Sequence, residues 1–130
     1  MKLSIIIPVY NEEKTILKIL NRISETKSKI YNYEIIIVDD GSTDQTLEIL
    51  DKNKNLYDQL IKSKINMGKG HAVITGLQSA SGRYIVFQDA DLEYDPEEFV
   101  NILKIYKEFN ADIVYGSRIN YKTYSRSHNF

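Results

Sequence analysis

Leu3-Ser4-Ile5-Ile6-Ile7-Pro8-Val9, followed at once by Tyr10-Asn11-Glu12, opens the chain and decides its fold. The run is apolar at almost every position and rich in β-branched side chains. That is the pattern of a strand covered on both faces, as strands of parallel sheets are. Glu34 to Val38 repeats it. Arg83 to Phe87 and Asp112 to Tyr115 are shorter strand candidates, and Gln59 to Ser63 is a weaker one. Helical periods lie between them. Residues 13–26 place Ile16, Leu20 and Ile23 on one stripe, with Lys14, Lys18, Arg22 and Glu25 mostly outside. Ser42 and Gln45 have capping-box spacing ahead of a helix that presents Leu47, Ile49 and Leu50. The spacing predicts another helix over residues 69–81, with a narrow face of Ala72, Val73, Gly76 and Ala80 that would let it approach a sheet closely. Asp95, Pro96 and Glu98 mark a further helix start before the stripe Phe99, Ile102, Leu103 and Tyr106. The resulting order, β-α-β-α-β-α-β-α-β, predicts a three-layer α/β/α domain around a mostly parallel sheet.

Composition narrows the function. The 130 residues suit one core, and 42% hydrophobic with 27% charged residues is ordinary for a globular protein. A net charge of -1 offers no broad basic field for nucleic acid or anionic lipid. The absence of cysteine excludes disulfides and thiolate metal sites, which leaves oxygen ligands as the route to a metal. Ile5 to Val9 is too short, and too soon followed by Asn11, Glu12, Glu13 and Lys14, for a signal peptide or a membrane span. Cytoplasmic residence is therefore the expectation.

Ligands of such sheets bind outside the carboxyl ends of the strands. There the sequence places Tyr10-Asn11-Glu12, Asp39-Asp40-Gly41-Ser42, Asn66 with Gly68-Lys69-Gly70, Asp89 with Asp91 and Glu93, and Gly116-Ser117-Arg118. Any one of these is ordinary turn chemistry; five on one rim point to a ligand. Asp89-Ala90-Asp91 is the sharpest. In extended backbone, residues two apart point the same way, so the carboxylates would converge and call for a cation such as Mg²⁺ or Mn²⁺, with Glu93 as a third ligand. Asp40 can accept hydrogen bonds from a ribose or base, whereas Asp39, Ser42 and Asp44 also fit capping and turn roles. Lys69 reads equally as surface charge or as a diphosphate contact. Arg118 reads equally as a diphosphate contact or as half of an ion pair. Neither the P-loop spacing nor the Gly-x-Gly-x-x-Gly fingerprint is present. His71 and His128 have no metal-ligand spacing.

Five motifs occur in order: Pro8-Val9-Tyr10-Asn11-Glu12, Val38-Asp39-Asp40-Gly41-Ser42-Thr43-Asp44, Asn66-Met67-Gly68-Lys69-Gly70, Gln88-Asp89-Ala90-Asp91-Leu92 and Gly116-Ser117-Arg118. Together they resemble the large inverting glycosyltransferase family of GT-A fold that includes dolichyl-phosphate mannose synthase and polyprenyl-phosphate glucosyltransferases. The resemblance covers roughly residues 3–118 and is specific for the family rather than for the sugar. It implies that Pro8, Tyr10, Glu12, Val38 and Asp40 contact the nucleoside. It implies that Gln88, Asp89, Ala90 and Asp91 line the diphosphate and metal site, and that Arg118 contacts the donor. Glu93 falls where some relatives place a further metal ligand and others do not.

The implied reaction transfers a hexose, with inversion, from a UDP-glucose or GDP-mannose type donor to polyprenyl phosphate or a glycan. Metal, Lys69 and Arg118 would stabilise the leaving diphosphate. A sugar hydroxyl would also need a general base; a polyprenyl phosphate would need one less, since a phosphate monoester has a second pKa of about 6. Relatives continue into an acceptor-facing half, and some add membrane helices. Residues 1–118 are thus expected to form the donor domain and 119–130 the start of an incomplete acceptor side. The catalytic base is expected beyond residue 130, and membrane association only through absent segments or a lipid acceptor. Two rivals stand beside this reading: a nucleotide-sugar-binding module without turnover, and a sugar nucleotidyltransferase, which usually opens with a Gly-rich basic loop that Pro8 to Glu12 lacks.

Overall fold

The computed structural model describes residues 2–26 and 32–114. Four parallel strands, β1 (Leu3–Val9), β2 (Tyr33–Asp39), β3 (Gln59–Lys62) and β4 (Tyr84–Phe87), lie in the order β3-β2-β1-β4. Parallel neighbours need crossover connections. These are α1 (Ile16–Glu25), α2 (Thr46–Lys52) with a 3-10 turn at Lys54–Leu56, and α3 (Lys69–Ser79); α4 (Glu98–Phe109) follows β4.

The two strands read as doubly covered are so. Ile5, Ile6, Ile7, Ile36, Ile37 and Val38 have no accessible surface. Full burial of each such side chain stabilises the fold by about 1.5–3 kcal/mol. One sheet face carries Ile6, Ile36 and Val38, against which α3 packs through Ala72 and Gly76. Gly76 is required there: a Cβ would overlap Ile6 Cγ2 and lie 3.3 Å from Val38 Cγ2. The predicted small-residue face is thus the contact face. The opposite face carries Leu3, Ile5, Ile7, Val9, Ile35 and Ile37, and α1 supplies the buried stripe Ile16, Ile19, Leu20 and Ile23.

At the amino ends of the strands a buried carboxylate ties three segments together. Glu34 accepts hydrogen bonds from Lys2 Nζ (2.7 Å), Ser4 Oγ (2.5 Å) and Ser81 N (2.7 Å). Burial by itself would raise its pKa, but these donors outweigh it and hold the carboxyl at about 2.

Several boundaries differ from the periodicity. The helix expected over 13–26 begins only at Ile16, because residues 13–15 form a turn engaged with the β2–α2 loop. Ser42 and Gln45 form no capping box: Ser42 Oγ accepts from Asn11 N instead, and Gln45 makes no side-chain cap bond to α2. Asp95 does bond ahead of α4, taking Glu97 N at 3.0 Å, but the helix starts at Glu98 rather than at Pro96. Asp112 to Val114 are not in a strand; Tyr115 lies outside the described residues, as do Gly116, Ser117, Arg118, the tail 119–130 and the boundary expected at 118. Residues 1–100 form one compact unit, and a second begins at Asn101, within α4.

Candidate functional site

The sheet order creates a topological switch point. From β1 the chain moves outward through β2 to β3, then returns to place β4 on the other side of β1. The crossover leaving β1 runs toward β2 while β4 arrives on the other side of β1, so a crevice opens at the carboxyl ends of β1 and β4. Gln88 N donates to Ile6 O at 3.0 Å, which sets Asp89 beside the exit of β1.

A cavity of about 350 Å³ occupies that crevice, a volume within the small-molecule range. Its walls come from all four strand ends. Pro8 and Val9 end β1, Tyr10 and Glu12 follow it, and Asp40 follows β2. Asn66, Gly68, Lys69 and Ala72 follow β3, and Asp89, Ala90 and Asp91 follow β4. Tyr10 is 45% exposed although its neighbour Val9 is buried, so a flat ring stands ready at the mouth.

The loops that follow β1 and β2 cap each other. Asn11, in a left-handed conformation (φ 51°), accepts with Oδ1 from Thr43 N (2.7 Å) and Asp44 N (3.3 Å). Glu13 N donates to Asp44 Oδ2 (3.3 Å), and Gln45 N donates back to Glu13 Oε2 (2.9 Å). Glu12 N donates to Thr46 Oγ1 (2.9 Å). Burial would raise the pKa of Asp44, but hydrogen bonds from the Thr46 hydroxyl and N–H and from Glu13 N lower it. N–H groups just ahead of both helices are thereby satisfied across the loops, while Thr46 N, the first of α2, donates locally to Asp44 Oδ1 (2.9 Å). Asn11, Glu13, Thr43 and Asp44 thus have a scaffolding role that spacing along the chain could not reveal.

Asp40 is 3% exposed and accepts from Met67 N (2.9 Å) and Gly68 N (2.8 Å). Its carboxylate pins the loop that delivers Lys69 while remaining in the cavity wall. Gly41 makes this crossing possible: its φ is +77°, and a Cβ would lie 2.7 Å from the Ile65 carbonyl carbon.

Asp89 and Asp91 share the cavity, but not by the geometry of an extended segment. The backbone turns at Ala90–Asp91, and Leu92 takes a φ of 68°, an uncommon value for a non-glycine residue. Asp91 Oδ1 closes this turn by accepting from Glu93 N at 3.0 Å. Lys69 Nζ is ion-paired with Asp89 Oδ1.

Three residues assigned to the site lie elsewhere. Val38 is fully buried beneath α3 and does not line the cavity. Gln88 is likewise buried outside the lining; its amide donates to Asp89 O (3.0 Å) and Tyr94 O (3.3 Å), bracing the turn that carries the carboxylates. Glu93 is exposed and not in the wall. Arg118 is outside the described residues. Among the described residues no three His, Asp or Glu side chains are grouped to hold a metal by themselves. The wall residues missing from the sequence reading are Val9, Asn66, Gly68 and Ala72. Ala72 already stood on the small-residue face, and Asn66 and Gly68 stood in the loop motif.

Tyr10, acidic groups at the inner wall and a lysine at the start of α3 define a site suited to a ligand with an aromatic base and a phosphate-bound cation. Comparison with known proteins agrees with that class. Residues 4–128 match glycosyl transferase family 2, and the chain belongs to that family. It is 38% identical over 119 residues to a dolichol-phosphate mannosyltransferase of Pyrococcus furiosus, covering 91% of this chain and 33% of that protein. Its fold is that of the GT-A glycosyltransferases. S. aureus TarS 1-349 in complex with UDP-GlcNAc superposes with a TM-score of 0.72 at 32% identity, over 86% of this chain and 33% of that one. The mannosyltransferase PcManGT of Pyrobaculum calidifontis, in complex with GDP-Man and Mn²⁺, gives 0.68 at 29% identity, over 80% and 32%. The chain thus spans about a third of the length of these relatives. Among the described residues no helix is long and apolar enough to cross a membrane.

Proposed function

We propose that this chain forms the donor site of a metal-dependent glycosyltransferase that moves a hexose from a nucleoside diphosphate to polyprenyl phosphate, with inversion. The observation that carries the reading is the cavity at the switch point, where Tyr10, Glu12 and Asp40 meet Lys69, Asp89 and Asp91. The relatives supply the ligand class, since solved neighbours hold UDP-GlcNAc or GDP-Man with Mn²⁺, and a named relative acts on dolichol phosphate.

The nucleoside would lie against Tyr10, with Glu12 and Asp40 offering acceptors to ribose or base. The diphosphate would lie toward Lys69 and the Asp89–Asp91 turn. These residues suit a divalent ion: the donors are carboxylate oxygens, and the Lys69 ammonium already places a cation on Asp89. Two carboxylates leave coordination positions for phosphate oxygens and water, as Mg²⁺ and Mn²⁺ sites commonly do. The ion, when bound, would neutralise charge on the departing diphosphate. Lys69 would add a charge-assisted hydrogen bond to the same oxygens, and Gln88 would keep the carboxylate turn in place. An acceptor phosphate attacks without a general base because it is already ionised near neutral pH.

Product analysis with a labelled nucleotide-sugar tests the proposal. Sugar appearing on polyprenyl phosphate with release of nucleoside diphosphate supports it. Donor binding without turnover, or conversion of the donor with added pyrophosphate to sugar 1-phosphate and nucleoside triphosphate, would overturn it in favour of a binding module or a nucleotidyltransferase.

A further inference from the structure

The ion pair between Lys69 and Asp89 spans the cavity wall from the start of α3 to the exit of β4, joining the lysine and the carboxylate that both face the proposed diphosphate. Asp89 is 26% exposed and Lys69 66%. The carboxylate is therefore fixed in the wall while the lysine reaches to it from solvent. The reach is possible because Asp40 anchors Met67 N and Gly68 N, which sets the first residue of α3 facing β4. Asp91 Oδ1 is engaged by Glu93 N. Without nucleotide, the carboxylate oxygens a metal would use are partly committed to other donors.

We propose that Lys69 is an internal counter-ion that competes with the divalent metal for Asp89 and yields it when a diphosphate arrives. This rests on the donor-site reading above. An ammonium held on Asp89 Oδ1 weakens the attraction of that carboxylate for a divalent ion, because the two cations repel at short range. A diphosphate offers Lys69 an alternative anionic partner in the same cavity. Metal and nucleotide then bind with positive coupling: each favours the state in which Lys69 has left Asp89. Lys69 keeps the Asp89 carboxylate neutralised until metal is recruited together with the nucleotide.

The test is Mn²⁺ binding, followed by the electron paramagnetic resonance signal of free Mn²⁺, without nucleotide and then with UDP or GDP. Lys69→Gln removes the competitor at an exposed position and should leave the fold intact, as circular dichroism would verify. Lys62→Gln is the control for net charge, since Lys62 pairs with Asp51 outside the cavity. Lys69→Gln should bind Mn²⁺ alone about two- to fivefold more tightly than the unmodified chain, the range of a part-exposed ion pair. Lys62→Gln should not change it. The factor by which nucleotide tightens Mn²⁺ should fall by at least as much in Lys69→Gln. Unchanged, weaker or undetectable Mn²⁺ binding by Lys69→Gln overturns the proposal, as does an equal gain in Lys62→Gln. Asp89→Asn separates the two levels. If it abolishes Mn²⁺ binding while Lys69→Gln changes nothing, only the counter-ion role fails. If it leaves Mn²⁺ binding intact, the metal-site reading fails as well.

Discussion

Replacing Asp40 by alanine probes whether one residue both builds the site and serves it. Its carboxylate is nearly inaccessible and accepts two backbone hydrogen bonds, at 2.9 Å from Met67 N and 2.8 Å from Gly68 N. A hydrogen bond to a charged group contributes about 1.5–3 kcal/mol. Two would sum to about 3–6 kcal/mol, but Asn66 and Met67 are exposed. Water can therefore reach the freed N–H groups, and a net loss of about 2–3 kcal/mol is expected. That is less than the 5–15 kcal/mol typical of a domain, so the variant should still fold. Nucleoside and nucleoside diphosphate affinities should both fall, because a wall group is lost and the loop carrying Lys69 is released. Asp40→Asn, which keeps an acceptor oxygen, should be intermediate. Urea unfolding measures the first effect and titration calorimetry the second. An unchanged urea midpoint would refute the anchoring role. A lowered midpoint with intact affinity would make Asp40 a turn residue and nothing more.

Other expectations address the scaffold. Glu34, with 7% of its side chain exposed, has its carboxyl held at about 2 against an ordinary 4.5. The lowered pKa means stability present above pH 4.5 and lost as pH falls toward 2. The shift corresponds to about 3 kcal/mol. In urea unfolding across that window, Glu34→Gln should show a flatter pH dependence than the unmodified chain; identical profiles would refute the assignment. Gly76→Val should cost about 1–3 kcal/mol by pushing α3 off Ile6 and Val38, read as a drop in thermal midpoint, with no drop contradicting the close approach. Asn11→Ala should weaken donor binding, because it unlinks the loops that follow β1 and β2. Faster amide exchange at Thr43 and Asp44 would report the release directly, and unchanged exchange would count against it.

How much could be read in advance follows from the range of each interaction. β1, β2 and the helix over 69–79 were legible because burial on both faces and close packing write themselves into consecutive or periodic residues. Cavity residues such as Tyr10, Asp40, Asp89 and Asp91 were legible because every parallel strand ends on the same rim. The double cap between residues 11–13 and 42–46 was not. It pairs residues some thirty apart, and each of them alone looks like a local cap. Val38 and Gln88 stand within the motifs, and the family resemblance assigned them to the ligand. The structure instead uses one as packing under α3 and the other as a brace for the carboxylate turn. The convergence of Asp89 and Asp91 was expected from extended backbone. Both line the cavity, but through a turn at Ala90–Asp91 and a left-handed Leu92, which the pattern of polar residues does not encode.

The central claim is that the cavity between β1 and β4 takes a nucleoside diphosphate through a divalent ion on Asp91 and Asp89. Calorimetric titration of UDP and GDP in Mn²⁺, in EDTA, and with Asp91→Asn tests it most directly. The account predicts binding of at least one nucleotide in Mn²⁺ and its near-complete loss in both EDTA and Asp91→Asn. Equal affinity under all three conditions would contradict it.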